Sequence, residues 1–429
     1  MSPTPATAGP RPDPRRRLTK PHQVRSFPAD DGVLDQSGGL SNWSLPPDLP
    51  ARHLSPMQPS PSKSDLPSFA PADLEPAPLA IATTIPSAWF VDPRFHAVDR
   101  DAVMACTWQG VGHLSLIPNH GDYLLATVAD NPIVVLRDRD GVLRAFYNVC
   151  RHRGGPLLIE ERGCVKALTC KDHGWTYLLD GTLRGVPQFD RTELFDKRDF
   201  GLVPIAVETW QGLIFVNLTP EAAPPLAEVL GGIAERIRPN RLDTKQFVRR
   251  VDYEVPANWK VYVDNFLEGY HIPHVHPELN KALDYLAYRT ELGSWYTLQH
   301  SPLKADNVYT GDQGGEAFYY WVYPNCMLNI LPHRVQVNLV VPDGPDRCKV
   351  VFWYYYDDPE AAGRDTQIVD DVAYSDMVQG EDREICGRVM AGLGSRAYDR
   401  GRFSVEMESG VHHFQQLLKR SYRDWRNAR

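Results

Sequence analysis

Three cysteines and two histidines lie close together in the stretch NVCRHRGGPLLIEERGCVKALTCKDHGW, which runs from Asn148 to Trp175. Cys150 and His152 form a Cys-x-His pair, and Cys170 and His173 form a Cys-x-x-His pair. Thiolates and imidazoles are the side chains that bind zinc and iron–sulfur clusters in proteins. The spacing therefore predicts one metal site formed by two loops.

Three interpretations fit this ligand set. The first is a tetrahedral zinc ion, the second is a two-iron two-sulfur cluster, and the third is a chance grouping of core and surface residues. Zinc fingers usually pair Cys with Cys and His with His, whereas each loop here carries one of each, which favours the cluster. Gly154 and Gly155 fit as well, because the backbone must turn tightly and approach the cluster closely. Cys164 lies outside both motifs and is interpreted as structural.

A second group of histidines follows in NWKVYVDNFLEGYHIPHVHPEL. His271, His274 and His276 lie within six residues and come shortly after Asp264 and Glu268. Two imidazoles and one carboxylate are the ligand set of mononuclear non-haem Fe(II) oxygenases, which leaves positions open for O2. Helix spacing alone favours the two histidines that lie three residues apart, although the proline between them weakens this argument.

The motifs CRHRGGPL and CKDHGWTY resemble those of the Rieske non-haem iron oxygenases, and the resemblance extends over about residues 86–429. It implies that Cys150 and Cys170 bind one iron of a [2Fe-2S] cluster and that His152 and His173 bind the other. It also implies a second cofactor, a mononuclear Fe(II).

The resemblance selects ligands for that second iron. Its His-x4-His spacing gives His271 and His276, and the segment VQGEDREICGRVM gives Asp382, although its neighbours Glu381 and Glu384 are not excluded. His274 is then expected to be a pocket or outer residue, and His412 and His413 are interpreted as structural.

Two further acids are candidate catalytic residues. Glu268 occupies the position of the family's bridging acid, which contacts the iron-ligand histidine of its own subunit, here His271, and the second cluster histidine of a neighbour, here His173. Asp264 is the other candidate.

Within the family, the segments AFYYWVYPNCMLNI and VNLVVPDGPDRCKVVFWYYYDD resemble the quaternary-ammonium oxygenases, a group that includes choline monooxygenase. A trimethylammonium group donates no hydrogen bond and is held best by aromatic faces. Tyr319, Trp321 and Tyr323 alternate along a predicted strand and therefore share one face. With Trp295 and His274 they are the expected substrate-binding residues.

The elements that must position these residues differ along the chain. The first 80 residues hold 17 of the 37 prolines, and residues 1–85 are predicted to be a disordered extension. Asp-Gly pairs between apolar runs, such as Asp140-Gly141 and Asp180-Gly181, predict hairpins. Residues 86–235 are therefore expected to form an antiparallel β domain of Rieske type with an N-terminal lead-in. Residues 236–429 are expected to form a helix-grip-like α+β catalytic domain.

Composition excludes several function classes. With 46 Lys and Arg against 54 Asp and Glu, the chain has a formal charge of −8 and no basic footprint for nucleic acid. No apolar run approaches the ~18 residues of a membrane-spanning helix. Seven cysteines in 429 residues indicate a reducing compartment. A cytoplasmic location is expected, and an organelle stroma is the alternative because the segment GPRPDPRRRLTKPHQVRSF is rich in arginine and poor in acids.

The predicted function is that of a terminal oxygenase component, by resemblance a homotrimer. It would use O2 and electrons from a separate reductase or ferredoxin to hydroxylate or oxidatively demethylate a small quaternary-ammonium substrate of the choline or glycine betaine type. One alternative is the α subunit of an aromatic-ring-hydroxylating dioxygenase. Two others are an iron–sulfur electron-transfer or redox-sensing protein and a zinc-binding structural protein.

Overall fold

The computed structural model describes residues 66–238, 240–304, 315–361 and 363–429. Helices combine with antiparallel sheets in this part of the chain, so the predicted α+β fold class is confirmed. Of the predicted disordered extension, residues 1–65 lie outside the described residues.

Ten short strands make up the first half of the fold. Seven of them form an antiparallel sheet in the order β1-β10-β9-β4-β3-β2-β5, and β6, β7 and β8 form a small separate sheet. The two predicted hairpins are present, and Gly141 and Gly181 have the positive φ values of 80° and 90° that their turns require. The strands are β1 (Gln109–His113), β2 (Asp122–Val128), β3 (Asn131–Arg137), β4 (Leu143–Tyr147), β5 (Arg162–Cys164), β6 (Leu168–Thr169), β7 (Thr176–Tyr177), β8 (Leu183–Gly185), β9 (Pro204–Trp210) and β10 (Leu213–Asn217).

A second seven-stranded antiparallel sheet, in the order β11-β17-β16-β15-β14-β13-β12, forms the base of the other half. Neighbouring strands in it are consecutive along the chain except β11 and β17, whose pairing joins the first and last strands of the segment. The strands are β11 (Gln246–Val255), β12 (Arg289–Leu292), β13 (Tyr296–Leu303), β14 (Gly315–Val322), β15 (Cys326–Leu331), β16 (Arg334–Pro342) and β17 (Cys348–Tyr356).

The helices are short except for two near the C-terminus. These two are α8, with 30 residues, and α9, with 19 residues. The helices are α1 (Ala88–Val91), α2 (Pro93–Val98), α3 (Leu226–Val229), α4 (Ile233–Arg236), α5 (Trp259–Phe266), α6 (Ile272–Val275), α7 (Pro277–Ala282), α8 (Arg364–Leu393) and α9 (Ser409–Asn427). None of the helices in the described ranges is long and apolar enough to span a membrane.

Both faces of the second sheet are covered. Side chains such as Trp321 and Tyr354 pack against α5, α8 and α9, and the opposite face packs against Phe215 of the first sheet and Ile233 of α4. An antiparallel strand with alternating polar and apolar residues usually exposes its polar side. Here β16 is buried on both sides, so Arg334 and the other polar residues of that strand lie inside the protein.

The N-terminal boundary needs correction. Within the predicted disordered segment, Leu74, Ala82 and Ile85 are fully buried, and Thr83 forms a β-bridge with Arg402. The prediction of disorder is therefore wrong for residues 66–85. These residues are rich in proline, which led to the prediction of disorder. They also include apolar side chains that pack against a part of the chain distant in sequence.

The N-terminal lead-in, which follows residue 85, packs against a different part of the protein than predicted. The rings of Trp89 and Tyr422 lie 4.9 Å apart, and the indole of Trp259 donates a 2.9 Å hydrogen bond to the buried Asp99. Asp99 also pairs with the buried ammonium group of Lys260. The lead-in thus shares the core of the second sheet and its helices, whereas the sequence grouped it with the first.

Candidate metal centres

The first candidate centre is built from two loops with the same turn. One loop follows β4 and the other joins β6 to β7. The amide of Gly154 donates to the carbonyl of Cys150 at 3.0 Å, and the amide of Gly174 donates to the carbonyl of Cys170, also at 3.0 Å. Both glycines have positive φ, 82° and 73°. Each cysteine therefore stands at the start of a tight turn that a residue with a Cβ would strain.

The two loops place their cysteine thiols inside the protein and their histidine rings at or near its surface. Cys150 and Cys170 are each 2% exposed, whereas His152 is half-buried and His173 is exposed. The two histidine rings lie 4.7 Å apart. A Cβ on Gly155 would come within 2.2 Å of the Asp172 carboxylate and 3.4 Å of the Cys170 sulfur, so a larger residue there would displace the Asp172 side chain.

This geometry fits a cluster better than one zinc ion. Zinc bonds of about 2.0–2.3 Å would draw four ligand atoms to within about 4 Å of one another. In the part of the chain that the structure describes, the four side chains of this centre do not converge in that way. A hydroxyl group is also placed near the sulfur, since Tyr177 Oη lies 3.5 Å from Cys150 Sγ and accepts a 2.9 Å hydrogen bond from the Arg151 amide.

The second candidate centre does converge on a single point. Ligand atoms of His271, His276 and Asp382 all lie within 4.8 Å of one another. Nε2 of His276 is 3.1 Å from Asp382 Oδ1, and Nε2 of His271 is 3.9 Å from the same oxygen. The two histidines flank α6, while Asp382 projects from α8. Two imidazoles and a carboxylate in this arrangement are a suitable facial ligand set for Fe(II).

Each of the two histidines has its own carboxylate partner on the side away from this point. Nδ1 of His271 lies 2.6 Å from Glu268 Oε1, and Nδ1 of His276 lies 2.6 Å from Glu381 Oε2. Such a carboxylate accepts a hydrogen bond from Nδ1–H. This fixes the tautomer of the ring and leaves Nε2 free to bind a metal. The role of Glu381 was left open by the sequence. In the structure its carboxylate contacts Nδ1 of His276, on the side of the ring that faces away from Asp382.

The other acids near this centre have different surroundings. Glu384 is exposed and pairs with Arg388, away from the histidines. Asp382 Oδ1 accepts a 2.7 Å hydrogen bond from Asn265 Nδ2. Asp264 Oδ2 accepts a 3.0 Å hydrogen bond from Gln415, and burial raises the pKa of Asp264 well above its usual value. Asp264 does not line the cavity beside the metal ligands.

A cavity of about 100 Å³ lies beside the second centre and mixes aromatic with polar side chains. Its walls come from α5, α6, α7, α8 and the face of the second sheet that is turned toward these helices. The side chains that line it are those of Tyr262, Asn265, Phe266, Glu268, His271, Ile272, His276, Leu279, Tyr288, Gln299, Tyr319, Asn329, Arg334, Gln336, Asn338, Phe352, Ser375, Val378, Gln379 and Asp382.

The predicted aromatic site is only partly assembled here. Tyr319 lines the cavity, but Trp321, Tyr323 and Trp295 do not. The prediction of a shared face was sound, because Trp321 and Tyr323 pack on the same side of the sheet, against α9. Two residues of strand cover about 7 Å, however, which carries them past the cavity. Trp295 instead stacks under the Arg420 guanidinium, 4.0 Å above its ring.

The remaining histidines lie away from the ligands. His274 is exposed and does not line the cavity, because it lies on the outer side of α6. His412 Nε2 bonds to the Ala77 carbonyl at 2.8 Å, and His413 Nδ1 lies 3.3 Å from Thr297 Oγ1. Burial lowers the pKa of His413 to about 4. Cys164 is exposed, at the end of β5.

Sequence reasoning missed the polar side of the cavity. Arg334, Gln336 and Asn338 alternate with valines and a leucine in RVQVNL, and all three line the cavity. The alternation is visible in the sequence, but it is also the pattern of a strand with one solvent-exposed face. It therefore did not indicate a buried cavity.

Each candidate centre lies within a segment that matches a known domain. Residues 107–205 match the Rieske [2Fe-2S] domain, and residues 242–424 match the ring hydroxylating alpha subunit (catalytic domain). Chloroplastic choline monooxygenase of Arabidopsis thaliana is 34% identical over 356 residues, which are 80% of this chain and 83% of the relative. The carnitine monooxygenase oxygenase subunit of Escherichia coli (strain K12) is 31% identical and covers 80% of this chain and 95% of its own length.

Solved structures show the same relationship. A quaternary ammonium Rieske monooxygenase superposes with a TM-score of 0.74 at 30% identity, covering 81% of this chain and 99% of that one. Naphthalene 1,2-dioxygenase from Rhodococcus sp. shares the fold at 20% identity, with a TM-score of 0.67 over 79% of this chain and 94% of that one. The chain is therefore an enzyme of the Rieske non-haem iron oxygenase family, whose members carry a Rieske [2Fe-2S] cluster and a mononuclear iron and act with O2 and a separate electron donor.

Proposed function

We propose that this enzyme hydroxylates or oxidatively N-demethylates a small quaternary-ammonium compound. The observation that carries the proposal is the set of aromatic side chains beside the candidate iron ligands, with Phe266, Tyr288 and Phe352 lining the same cavity as His271 and His276. Aromatic faces attract a cation that has no hydrogen-bond donor. The relatives named for choline and carnitine support the same substrate class.

The proposed cluster ligands are Cys150, Cys170, His152 and His173. Their thiol end is buried and their imidazole end is at the surface, which suits electron exchange with a partner at the histidine side.

The proposed ligands of the mononuclear iron are His271, His276 and Asp382. With both groups bound, the cluster would supply single electrons and the iron would supply activation of O2, for a reaction in which one oxygen atom enters the substrate and the other takes up two electrons and two protons to become water. Glu268 and Glu381 hold the two histidines with Nε2 directed toward Asp382. Asn265 orients the Asp382 carboxylate through its amide.

We propose a head-to-tail homotrimer in which the cluster of one subunit serves the iron of the next. Glu268 would be the contact across that boundary, between His271 of its own chain and His173 of a neighbour. Its side chain is 12% exposed and holds His271, and His173 is exposed. The electron donor is proposed to be a separate reductase or ferredoxin.

The domain division is also a proposal. We retain a boundary near residue 236 between the Rieske and catalytic domains, and we assign residues 66–106 to the catalytic core because of their packing. The proposed location is the cytoplasm, with an organelle stroma as the alternative. Fusion of residues 1–85 to a fluorescent reporter distinguishes the two.

Turnover with a surrogate reductase tests the proposal. Choline, glycine betaine, carnitine and a set of aromatic acids should be supplied separately, and oxygen consumption should be matched to product by mass spectrometry. Oxidation of a quaternary-ammonium compound is expected, and it should be lost in Asp382→Ala while the visible spectrum of the cluster remains. Oxidation of aromatic acids alone would instead support the ring-hydroxylating alternative. An iron content of about two per chain would indicate an electron carrier.

A further inference from the structure

The helix α5 supports two of the three proposed iron ligands. Asn265, near its end, donates a 2.7 Å hydrogen bond from Nδ2 to Asp382 Oδ1. Just after the helix, Glu268 accepts a 3.0 Å hydrogen bond from the main-chain amide of His271 and lies 2.6 Å from Nδ1 of its ring. Because both supports extend from one short helix, a shift or rotation of α5 would displace both ligands.

Another side of α5 is joined to α9. Asp264 Oδ2 accepts a 3.0 Å hydrogen bond from Nε2 of Gln415, a residue of α9 that is 2% exposed. The first turn of α9 also touches the chain directly, because a Cβ on Gly410 would collide with the Leu267 carbonyl oxygen. Asp264 comes directly before Asn265, so a single hydrogen bond connects α9 to the turn of α5 that orients a proposed ligand.

Gln415 uses the other atom of its amide to hold the N-terminal segment. Its Oε1 accepts a 2.8 Å hydrogen bond from the main-chain amide of Ile85. Ile85 is 1% exposed and belongs to residues 82–87, which we call the strap. The strap also pairs with the loop between α8 and α9, where Thr83 forms a β-bridge with Arg402. One buried amide therefore joins the strap to α5.

The N-terminal segment holds the first turn of α5 as well. The carboxylate of Asp99 accepts a 2.9 Å hydrogen bond from the Trp259 indole and pairs with the ammonium group of Lys260. Tyr422 of α9 donates to the same carboxylate, and all four side chains are buried. A buried polar group that loses its partner is destabilising, so α5 is held at both ends against movement.

We infer that Gln415 is a positioning residue for the mononuclear iron and that docking of the strap is coupled to iron binding. The strap fixes Gln415, Gln415 fixes Asp264, and α5 passes this constraint to the supports of the ligands. The inference rests on the ligand set of the proposed function. It gives Asp264, a candidate catalytic acid in the sequence, a supporting role. Because coupling between two sites is reciprocal, iron binding should stabilise the docked strap as much as docking stabilises bound iron.

The affinity for Fe(II) tests the first half of the inference. It is measured without oxygen, by competition with a chelator, in full-length enzyme that retains its cluster. Gln415→Met keeps the volume of the side chain and removes both hydrogen bonds, so it should weaken Fe(II) binding about 3–30-fold. Gln416→Met is the matched control, because neither amide atom of Gln416 has a hydrogen-bond partner among the described residues. Unchanged affinity in Gln415→Met, or an equal loss in both variants, would overturn the inference.

Two variants of Asp264 provide a second measurement, which decides the matter if Gln415→Met does not fold. Asp264→Asn keeps an oxygen that accepts from Gln415, whereas Asp264→Leu does not. Burial raises the pKa of Asp264, which favours the uncharged acid that asparagine resembles. The leucine variant should lose Fe(II) affinity and the asparagine variant should retain most of it. Equal losses would show that the carboxyl group itself is needed, against the inference.

Hydrogen exchange tests the reciprocal half without turnover. Amide hydrogens of the strap should exchange more slowly in Fe(II)-loaded enzyme than in iron-free enzyme, as measured by mass spectrometry of the peptides that cover the strap. This difference should disappear in Gln415→Met and persist in Gln416→Met. Exchange in the wild-type strap that does not respond to iron would contradict the coupling.

Asp382→Ala separates failure of the inference from failure of the proposed function. If this variant binds Fe(II) as tightly as the wild type, the proposed ligand set is wrong. If it loses Fe(II) while Gln415→Met binds normally, the ligand set stands and only the inference is refuted.

Discussion

Oε2 of Glu381 lies 2.6 Å from Nδ1 of His276, on the opposite side of the ring from Asp382. This carboxylate sits directly before the proposed metal ligand on α8, so one turn of helix supplies both a ligand and the support for another. A histidine held in this way presents Nε2 to a metal in a fixed direction.

Replacing Glu381 with Gln should therefore weaken iron binding without removing a ligand. We expect a loss of about 10–100-fold in Fe(II) affinity, measured by competition with a chelator, while the cluster spectrum is unchanged. Glu384→Gln is the control, since Glu384 lies one turn along and pairs with Arg388 at the surface. Equal losses in the two variants would assign the effect to helix charge.

Tyr177→Phe should lower the midpoint potential of the cluster. The Tyr177 hydroxyl lies 3.5 Å from Cys150 Sγ, and burial together with this contact raises the pKa of the phenol, so the proton remains available to the sulfur. Hydrogen bonds to cluster sulfur stabilise the reduced state. A contact of about 1.5 kcal/mol corresponds to about 60 mV for one electron. Redox titration followed by circular dichroism measures it, and Tyr123→Phe, in the same domain, should leave the potential unchanged.

Stability should depend on pH through His413. Burial lowers its folded-state pKa to about 4 from an ordinary value of 6.5. As the pH falls below 6.5, the unfolded chain takes up a proton that the folded protein does not, so the free energy of unfolding decreases. The expected loss is about 2 kcal/mol between pH 7.5 and pH 5. His413→Gln should remove this part of the dependence in urea unfolding, whereas exposed His274→Gln should retain it.

Two inactive variants should restore activity to each other if electrons pass between subunits. Cys150→Ala chains would lack a cluster, and His271→Ala chains would lack a working iron. Mixed trimers can place an intact cluster beside an intact iron across one interface, so co-expression should partly recover turnover. Adding Glu268→Gln to the Cys150→Ala chain should abolish the recovery, because that chain supplies the iron. Verified mixed trimers without any activity would show that transfer is confined to one chain.

The local parts of this protein were predictable and the long-range parts were not. Turn chemistry predicted the hairpins at Gly141 and Gly181, and paired spacings predicted the Cys and His loops of the first centre. For the second centre, His276 and Asp382 were selected by the family resemblance and not by spacing. Burial of β16 on both faces depends on Phe215, more than a hundred residues earlier, and no local pattern reports such a contact. For the same reason the cavity contains Arg334 rather than Trp321, although both residues lie on strands of the same sheet.

The single helix α8 has a consequence for how the pocket can evolve. Thirty residues of continuous helix carry Ser375, which holds Arg334, and Asp382, which faces the histidines. Ser375 and Asp382 are seven residues apart and therefore lie on the same face of the helix. Inserting one residue between them would rotate one against the other by about 100°, whereas inserting four would bring them back near the same face but about 6 Å further apart. The shape of the cavity can therefore change more easily through side chains of the sheet than through this helix, because the helix must keep Ser375 and Asp382 on one face.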